Sequence, residues 1–230
     1  SEVSELIEVD TPKGRYLAYS RHQVGAASTE VLPAVLAATL RDLSFPKQMQ
    51  WEATLDDGRG ELMFGRPIRW ILFLFGGQVV PFKIGRTASV ESIDVAALQS
   101  SNFTYGHRFL GEQAGEPVKV KSFADYRAKL AERFVVLDHT ERRQKIQTAL
   151  LAKAEEHGGS VDFAFPTVAA LLDEVSDLVE CPLVVEGRFD ETFLKLPREV
   201  LTTTMMHHQH FFSLAGPEDG LLPVFLAVAN

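Results

Sequence analysis

A cluster of histidines near the C-terminal end of the sequence is the most obvious candidate for chemistry. Residues 196–212 read LPREVLTTTMMHHQHFF and hold three histidines within four positions. Apolar residues at helical spacing fill the first half, and bulky rings fill the second, which favours a helix that runs into a strand. On a strand, His208 and His210 would share one face and His207 the other. Two converging imidazoles are fewer than the three or four ligands of a typical zinc site, so the pattern does not favour a metal.

The same segment has a simpler interpretation as a source of neutral hydrogen-bonding groups. Backbone groups at a helix end lack partners within the helix, and His, Gln and Thr side chains can supply both donors and acceptors. We therefore predict a polar pocket at this helix–strand junction, with no metal. Its residues are Thr204, His207, His208 and Gln209.

The sequence carries no motif of an independent active site. It has no GxSxG elbow, P-loop, GxGxxG fingerprint or zinc-ligand spacing. Its single cysteine, Cys181, precedes Pro182 in an apolar strand pattern and excludes an intramolecular disulfide. The acids Asp173, Glu174 and Asp177 are typical of a solvated helix face. We predict no catalytic residue, no metal site and no bound cofactor in this chain.

Two loops present cations beside aromatic rings. The segments FGRPIRW (64–70) and GHRFLG (106–111) are marked by Gly or Pro, as loops are. A loop arginine beside a ring can pair with phosphate or stack on an unpaired base. The alternative is that these cations form internal ion pairs with the excess Asp and Glu, and the sequence leaves both interpretations open. The predicted local RNA contact consists of Arg66, Arg69, His107 and Arg108.

Charge limits how the chain could meet a nucleic acid. With 31 acidic and 23 basic residues the formal net charge is −8, whereas a protein that grips nucleic acid over a broad face is expected to be basic. Any RNA contact should be local, and we predict no DNA partner. No apolar run approaches the roughly 18 residues of a membrane helix, and no signal peptide opens the chain. The expected location is therefore the cytoplasm, away from membranes.

Strand and helix patterns alternate irregularly, which predicts an α+β fold with mixed or antiparallel strands, hairpins and packed amphipathic helices. A hairpin is expected about residues 10–14, and Ser28 or Thr29 should cap a helix that ends before Pro46. The division expected is 1–50, a hairpin plus helix, and 51–230, an α+β core, with two subdomains. The other predicted elements are apolar strands at 71–75 and 79–84, helices at about 123–134, 140–156 and 166–179, and a hairpin pairing 210–214 with 222–228.

Several stretches, collinear over nearly the whole chain, resemble the beta subunit of the bacterial heterotetrameric glycyl-tRNA synthetases. A match of many blocks is far more specific than any single motif. The blocks are TPKGRY (11–16), PKQMQW (46–51), FGRPIRW (64–70), GHRFLG (106–111), LLDEV (171–175) through Glu180, and residues 189–197, 203–212 and 222–230.

The resemblance implies part of an ATP-dependent ligase that joins glycine to tRNA(Gly). In that family the alpha subunit carries the aminoacyl-adenylate chemistry and uses ATP and magnesium, while the beta subunit mainly engages tRNA. The expected partners are the alpha subunit, tRNA(Gly) and a second beta subunit. The chain alone is then expected to have no catalytic activity, in agreement with the missing motifs.

Two other functions are compatible with the sequence. The chain is loosely similar to the editing-type module in the beta subunit of phenylalanyl-tRNA synthetase. That similarity implies a deacylase in which water is positioned by His107 or by residues 202–210. The other alternative is a purely structural module, whose aromatic residues such as Trp51 and Trp70 bury against another subunit.

Overall fold

A computed structural model describes residues 6–19, 24–86, 97–217 and 220–230. The chain divides into two compact units. The first comprises residues 1–69 and 79–100, and the second comprises residues 70–78 and 101–230. The expected division after residue 50 is a different partition of the chain and stays a prediction.

Strands predominate in the first half of the described chain, and the α-helices other than α1 lie in the second half. A short 3₁₀ segment (Glu191–Lys195) precedes the last helix, and a π-helical segment (Thr204–His208) follows it. The elements are β1 (Leu6–Thr11), β2 (Gly14–Tyr19), α1 (Ser28–Asp42), β3 (Ala53–Thr54), β4 (Ile71–Leu72), β5 (Leu74–Phe75), β6 (Gln78–Val79), β7 (Lys83–Arg86), β8 (Leu98–Ser101), β9 (Phe103–Tyr105), β10 (Pro117–Lys119), α2 (Phe123–Glu132), α3 (His139–Glu156), α4 (Pro166–Leu178), β11 (Leu183–Arg188), α5 (Arg198–Thr203), β12 (Phe212–Ala215) and β13 (Leu221–Ala229).

The first unit begins with the predicted hairpin. Strands β1 and β2 pair antiparallel from Leu6 opposite Tyr19 to Thr11 opposite Gly14, and Gly14 takes a φ of +120°, which only glycine adopts without strain. Helix α1 ends at Asp42, before Pro46, as predicted. The predicted hydroxyl cap is wrong: the N-cap is Ala27, with no side-chain cap, because Ser28 already lies inside the helix.

One arginine ties helix α1 to the loop that follows β3. Arg41 binds both carboxylate oxygens of Asp57, with Nη2–Oδ1 at 2.7 Å and Nε–Oδ2 at 2.9 Å. The same guanidinium donates to the backbone carbonyls of Gly60 and Glu61. This paired geometry stabilises the ionised carboxylate, and it lowers the pKa of Asp57 to about 2. Arg41 therefore joins helix α1 to this loop through four hydrogen bonds.

The core of the second unit lies between helices α3 and α4 and a three-stranded antiparallel sheet. The sheet has the order β11–β13–β12, with Leu183 opposite Ala229 and Phe212 opposite Leu226. Residues of α3 spaced four apart face it, since successive turns place them on one side of the helix. The fully buried leucines of this cluster are Leu150, Leu172, Leu214 and Leu226.

Two helices of the second unit, α2 and α3, begin at polar caps that the sequence pattern did not single out. The Ser122 hydroxyl accepts from the Asp125 N–H at the start of α2, and the Asp138 carboxylate accepts from the Glu141 N–H at the start of α3. Helix α4 begins at Pro166 and buries Leu172 as predicted. Leu178, expected on the same apolar face, is exposed because the helix ends there and the chain turns extended.

The histidine-rich segment departs from its prediction. His207 and His208 lie in the π-helical segment, and the strand does not begin until Phe212, so the expected strand face of His208 and His210 is wrong. The wider helical turn lets the Phe211 N–H reach the Met205 carbonyl at 2.8 Å. His210 then takes a φ of +57°, which redirects the chain into the strand.

Helices packed on antiparallel sheets make this an α+β fold, as predicted. The C-terminal hairpin of β12 and β13 and the helices α2, α3 and α4 lie where the sequence placed them, to within a few residues. Among the described residues no helix is long and apolar enough to cross a membrane.

Candidate nucleic-acid interface

The loop of residues 106–111 is held tightly against the end of helix α2. The His107 N–H donates to the Arg133 carbonyl at 2.8 Å. A Cβ on Gly106 would lie 2.2 Å from the Cβ of Arg133 and 2.8 Å from its carbonyl oxygen, so this approach is open only to glycine. At the other end, Gly111 has a φ of +84° and lies against the Phe134 ring. The two glycines of GHRFLG are therefore both required by geometry.

His107 is turned inward, whereas the glycine spacing predicted a loop that presents it. Its side chain is only 2% exposed. The ring nitrogen Nδ1 accepts from the Phe109 and Leu110 N–H groups at 3.3 and 3.2 Å. A nitrogen that accepts cannot carry a proton, so the ring is the neutral tautomer with its proton on Nε2. His107 thus caps its own loop and offers one N–H donor.

That donor is unsatisfied. The Nε2 atom of His107 is buried and has no hydrogen-bond partner among the described residues. A buried polar atom without a partner costs about 1–3 kcal/mol, and native structures contain few of them. A ligand with a hydrogen-bond acceptor would therefore bind favourably at His107 Nε2.

His107 lines a cleft of about 620 Å³ within the second unit, a size in the range of about 300–1,000 Å³ found for small-molecule sites. Aromatic rings are prominent in its lining, and Trp70 meets Tyr105 edge-on at 4.7 Å between ring centres. The rings and the nearby cation that could contact a ligand are Trp70, Tyr105, His107, Arg108, Phe109 and Tyr126.

Arg142 holds one wall of the cleft together. Its Nε donates to the Ser176 carbonyl at 2.9 Å, close to the C-terminal end of α4, and its Nη1 donates to the carbonyls of Val136 and Leu137. Carbonyls near a helix C-terminus favour a cation. The guanidinium is thus committed to backbone acceptors, and it fixes the segment between α2 and α3 against α4.

Carboxylates line the cleft as well. Asp177 lies 3.3 Å from His139 Nε2, and Glu180 is exposed and lines the same wall. Burial raises the pKa of the Tyr126 hydroxyl, with a smaller rise from the charge of Glu180, while a hydrogen bond with Thr104 acts in the opposite direction. The phenol therefore stays neutral at physiological pH, and the cleft combines neutral donors with negative charge nearby.

Arg108 lies on the surface next to this cleft. Its guanidinium carbon is 5.3 Å from the centre of the Phe109 ring, and Phe109 is 76% exposed. Arg108 forms no ion pair with any described residue. The internal ion pair that the sequence left open is therefore not found for this arginine in the described part of the chain.

Arg66 and Arg69 belong to the first unit, whereas the cleft belongs to the second. Both side chains are exposed, and within residues 6–19, 24–86, 97–217 and 220–230 neither makes an ion pair or hydrogen bond. Phe64, the first residue of the segment 64–70, packs edge-on against Phe45. Both arginines are accessible to an anionic partner. Their predicted RNA contact stays a prediction.

The residues of the predicted polar pocket lie on the surface, and the pocket itself stays a prediction. Thr204, His207, His208 and Gln209 are all exposed. A neighbouring cleft of about 540 Å³ is lined instead by Thr202 and Met206, among others. Thr204 does not line that cleft, and its hydroxyl donates to the Val200 carbonyl at 2.8 Å.

No cluster of three or more His, Cys, Asp or Glu side chains suited to a metal occurs among the described residues. The three acids of α4 each face a cation or histidine of a neighbouring element. Arg143 binds Asp173, His139 lies near Asp177, and His210 Nδ1 lies 3.5 Å from Glu174 without hydrogen-bond geometry. They form a charged helix face, as predicted, and no paired-carboxylate site.

The sequence pattern indicated the GHRFLG loop but not the rest of the cleft. Arg142, Glu180 and Asn230 reach it from three distant segments, and Asn230 Oδ1 accepts from the N–H groups of Glu180 and Cys181 at 2.7 and 3.0 Å. Nothing in local spacing indicates such contacts. One local signal for Arg142 was available in the sequence. Asp138 can cap a helix, and a helix that begins after Asp138 has Arg142 in its first turn.

The architecture is thus an α+β scaffold that carries a ring-lined cleft and exposed loop arginines. Comparison with known families agrees with the resemblance seen in the sequence. The family model described as glycyl-tRNA synthetase beta subunit matches residues 1–230. The chain belongs to the glycyl-tRNA synthetase beta subunit family.

Curated relatives carry the name glycine–tRNA ligase beta subunit. The chain is 38% identical over 228 residues to that of Moorella thermoacetica, 40% over 226 residues to that of Solidesulfovibrio magneticus and 38% over 229 residues to that of Geobacter sp.. These alignments cover 98–100% of the chain and 29–30% of each relative. The chain therefore spans about three tenths of the length of the curated relatives that it matches.

Proposed function

We propose that this chain is a tRNA- and alpha-subunit-contacting part of a glycine–tRNA ligase. In this proposal the ATP- and magnesium-dependent adenylate chemistry belongs to the alpha subunit, in the cytoplasm, and a second beta subunit completes the assembly. Family membership supports the role in glycyl-tRNA synthesis.

The observation that carries the tRNA contact is the environment of Arg108. Its charge has no carboxylate partner among the described residues, and it lies over an exposed ring beside a ring-lined cleft. A guanidinium in that setting can pair with a phosphate and leave the ring free to stack on a base. An arginine that served only the fold would be expected to contact a carboxylate or a carbonyl, as Arg41 does.

The editing alternative gains no support from His107. Because Nδ1 accepts two backbone N–H groups, the proton of the neutral ring is on Nε2, the nitrogen without a partner among the described residues. That nitrogen can donate a hydrogen bond but cannot take a proton from water without rearranging the loop. A water-activating base at this position would need the opposite tautomer.

Replacing Arg108 tests the proposed contact. We expect Arg108→Ala in the complete enzyme to weaken tRNA binding and to reduce the slope of log affinity against log salt by about one, because one phosphate contact is lost. Filter binding at several salt concentrations measures both quantities.

The matched control is Lys145→Ala. Lys145 is also exposed, on α3, but is paired with Glu141 at 2.9 Å, and its loss should leave the salt slope unchanged. If Arg108→Ala instead leaves affinity and slope unchanged while lowering the melting temperature, Arg108 serves the fold and the proposal fails.

A further inference from the structure

The cleft combines two independent features of a ligand site. One is internal: His107 Nε2 is buried, lacks a partner among the described residues, and belongs to a side chain that lines the cleft. The other is at the surface, where Trp70 and Phe109 line the same cleft while 43% and 76% exposed. A buried donor invites an acceptor, and exposed rings invite an apolar or planar surface.

The charges around the cleft favour a neutral group inside it. Arg142 is committed to backbone carbonyls, and Asp177 and Glu180 line the same wall. A bare anion would therefore face carboxylates. An ammonium group would be attracted to these carboxylates, but it carries no acceptor for the His107 N–H. The group that suits the cleft is uncharged and carries a hydrogen-bond acceptor.

The aromatic rings of the cleft indicate which class of uncharged ligand would fit. Trp70, Tyr105, Phe109 and Tyr126 all line the cleft, and stacked aromatic side chains are how proteins hold unpaired bases of single-stranded nucleic acid. Every nucleobase is planar, neutral and bears ring-nitrogen or carbonyl acceptors on its edge. A base in the cleft would also bring its phosphate toward the surface, where Arg108 lies.

We propose that this cleft holds the base of one unpaired RNA nucleotide, with His107 Nε2–H donating to an acceptor on the base edge and Arg108 pairing with the adjoining phosphate. The inference rests on the proposed function, since tRNA supplies the RNA. It goes beyond that function because it assigns a pocket for a base, whereas a phosphate contact alone would need only Arg108.

His107 can be changed so that only one of its two roles is lost. The carbonyl oxygen of an asparagine lies near the position of Nδ1, so His107→Asn keeps an acceptor for the Phe109 and Leu110 N–H groups and removes the Nε2 donor. In the complete enzyme we expect a melting temperature close to that of the wild type and tRNA binding about two- to tenfold weaker, the loss expected for one hydrogen bond.

A second variant keeps the test decisive if His107→Asn fails to fold. Trp70→Ala removes an exposed ring that lines the cleft, and we expect it to weaken tRNA binding about five- to hundredfold, as the loss of one stacked base does. Phe193→Ala is the matched control: Phe193 is exposed in the same unit but does not line this cleft, so its loss should leave tRNA affinity unchanged.

Ultraviolet cross-linking locates the base directly. Irradiating the complete enzyme with bound tRNA(Gly) should join an unpaired nucleotide to a peptide that contains Trp70, Tyr105, Phe109 or Tyr126, and His107→Asn should lower that yield. Cross-links to these residues from the alpha subunit in place of RNA, or protection of the cleft by glycine alone, would overturn the inference.

The inference and the proposed function can fail separately. If Arg108→Ala weakens tRNA binding while Trp70→Ala and His107→Asn do not, and no cross-link forms in the cleft, the surface contact stands and the base pocket is wrong. If all three variants bind tRNA like the wild type, both are wrong.

Discussion

Shortening Leu150 to alanine is expected to lower the free energy of unfolding by about 2–5 kcal/mol, the usual cost of truncating a buried leucine. Leu150 is 0% exposed and lies in the cluster shared by α3, α4 and the three-stranded sheet. The substitution leaves a cavity in this cluster that close-packed neighbours can only partly fill. Denaturant unfolding of the 230-residue chain, followed by circular dichroism, measures the loss.

The next residue along α3 provides the control. Leu151 is 46% exposed, so Leu151→Ala removes the same atoms from the same helix at a surface position, where substitutions change stability by about 0.5 kcal/mol or less. If the two variants lost equal free energy of unfolding, α3 would not pack on the sheet through the face that carries Leu150.

Replacing Gly106 by alanine should have the second largest effect. The new Cβ would lie 2.2 Å from the Cβ of Arg133 and 2.8 Å from its carbonyl oxygen, and backbone cannot rotate away as a side-chain end can. The loop must move, which breaks the 2.8 Å bond from the His107 N–H to Arg133. We expect a destabilisation of about 1–3 kcal/mol, the range for overpacking, together with weaker tRNA binding because His107 and Arg108 shift.

Gly25→Ala is the comparison for that variant. A Cβ on Gly25 would meet nothing within 4 Å, and its φ does not require glycine. The substitution should leave stability unchanged or raise it slightly, since alanine restricts the unfolded chain. If Gly106→Ala were as well tolerated as Gly25→Ala, the close approach of this loop to α2 would be wrong.

Local patterns predicted helices α2, α3 and α4 and two hairpins because short-range physics determines these elements, whereas the strands expected at 71–75 and 79–84 are each broken into two shorter pieces. The apolar spacing of α4 and the turn chemistry of β1–β2 each depend on residues a few positions apart, and both elements were confirmed. The segment at 204–210 was mispredicted for a specific reason. A π-helical turn and the positive φ of His210 depend on how Phe211 meets Met205, which spacing alone does not reveal.

The sequence predicted the cleft less well than it predicted the scaffold. GHRFLG indicated a tight loop, but the inward turn of His107 follows from its acceptance of two backbone N–H groups and from the contact between Gly106 and Arg133. Arg142 and Asn230 meet the cleft only because α3 and β13 pack together over long sequence separations. Such contacts have no signature in a single sequence.

Aminoacylation and pyrophosphate exchange, both measured on the Arg108→Ala variant, separate the roles proposed for the two subunits. If this segment contacts tRNA and the adenylate chemistry takes place in the alpha subunit, Arg108→Ala in the complete enzyme should lower kcat/KM for tRNA in aminoacylation about two- to tenfold. Glycine-dependent exchange of pyrophosphate into ATP, which needs no tRNA, should stay at the wild-type rate. Equal losses in both reactions, or unchanged aminoacylation at limiting tRNA, would contradict this division of roles.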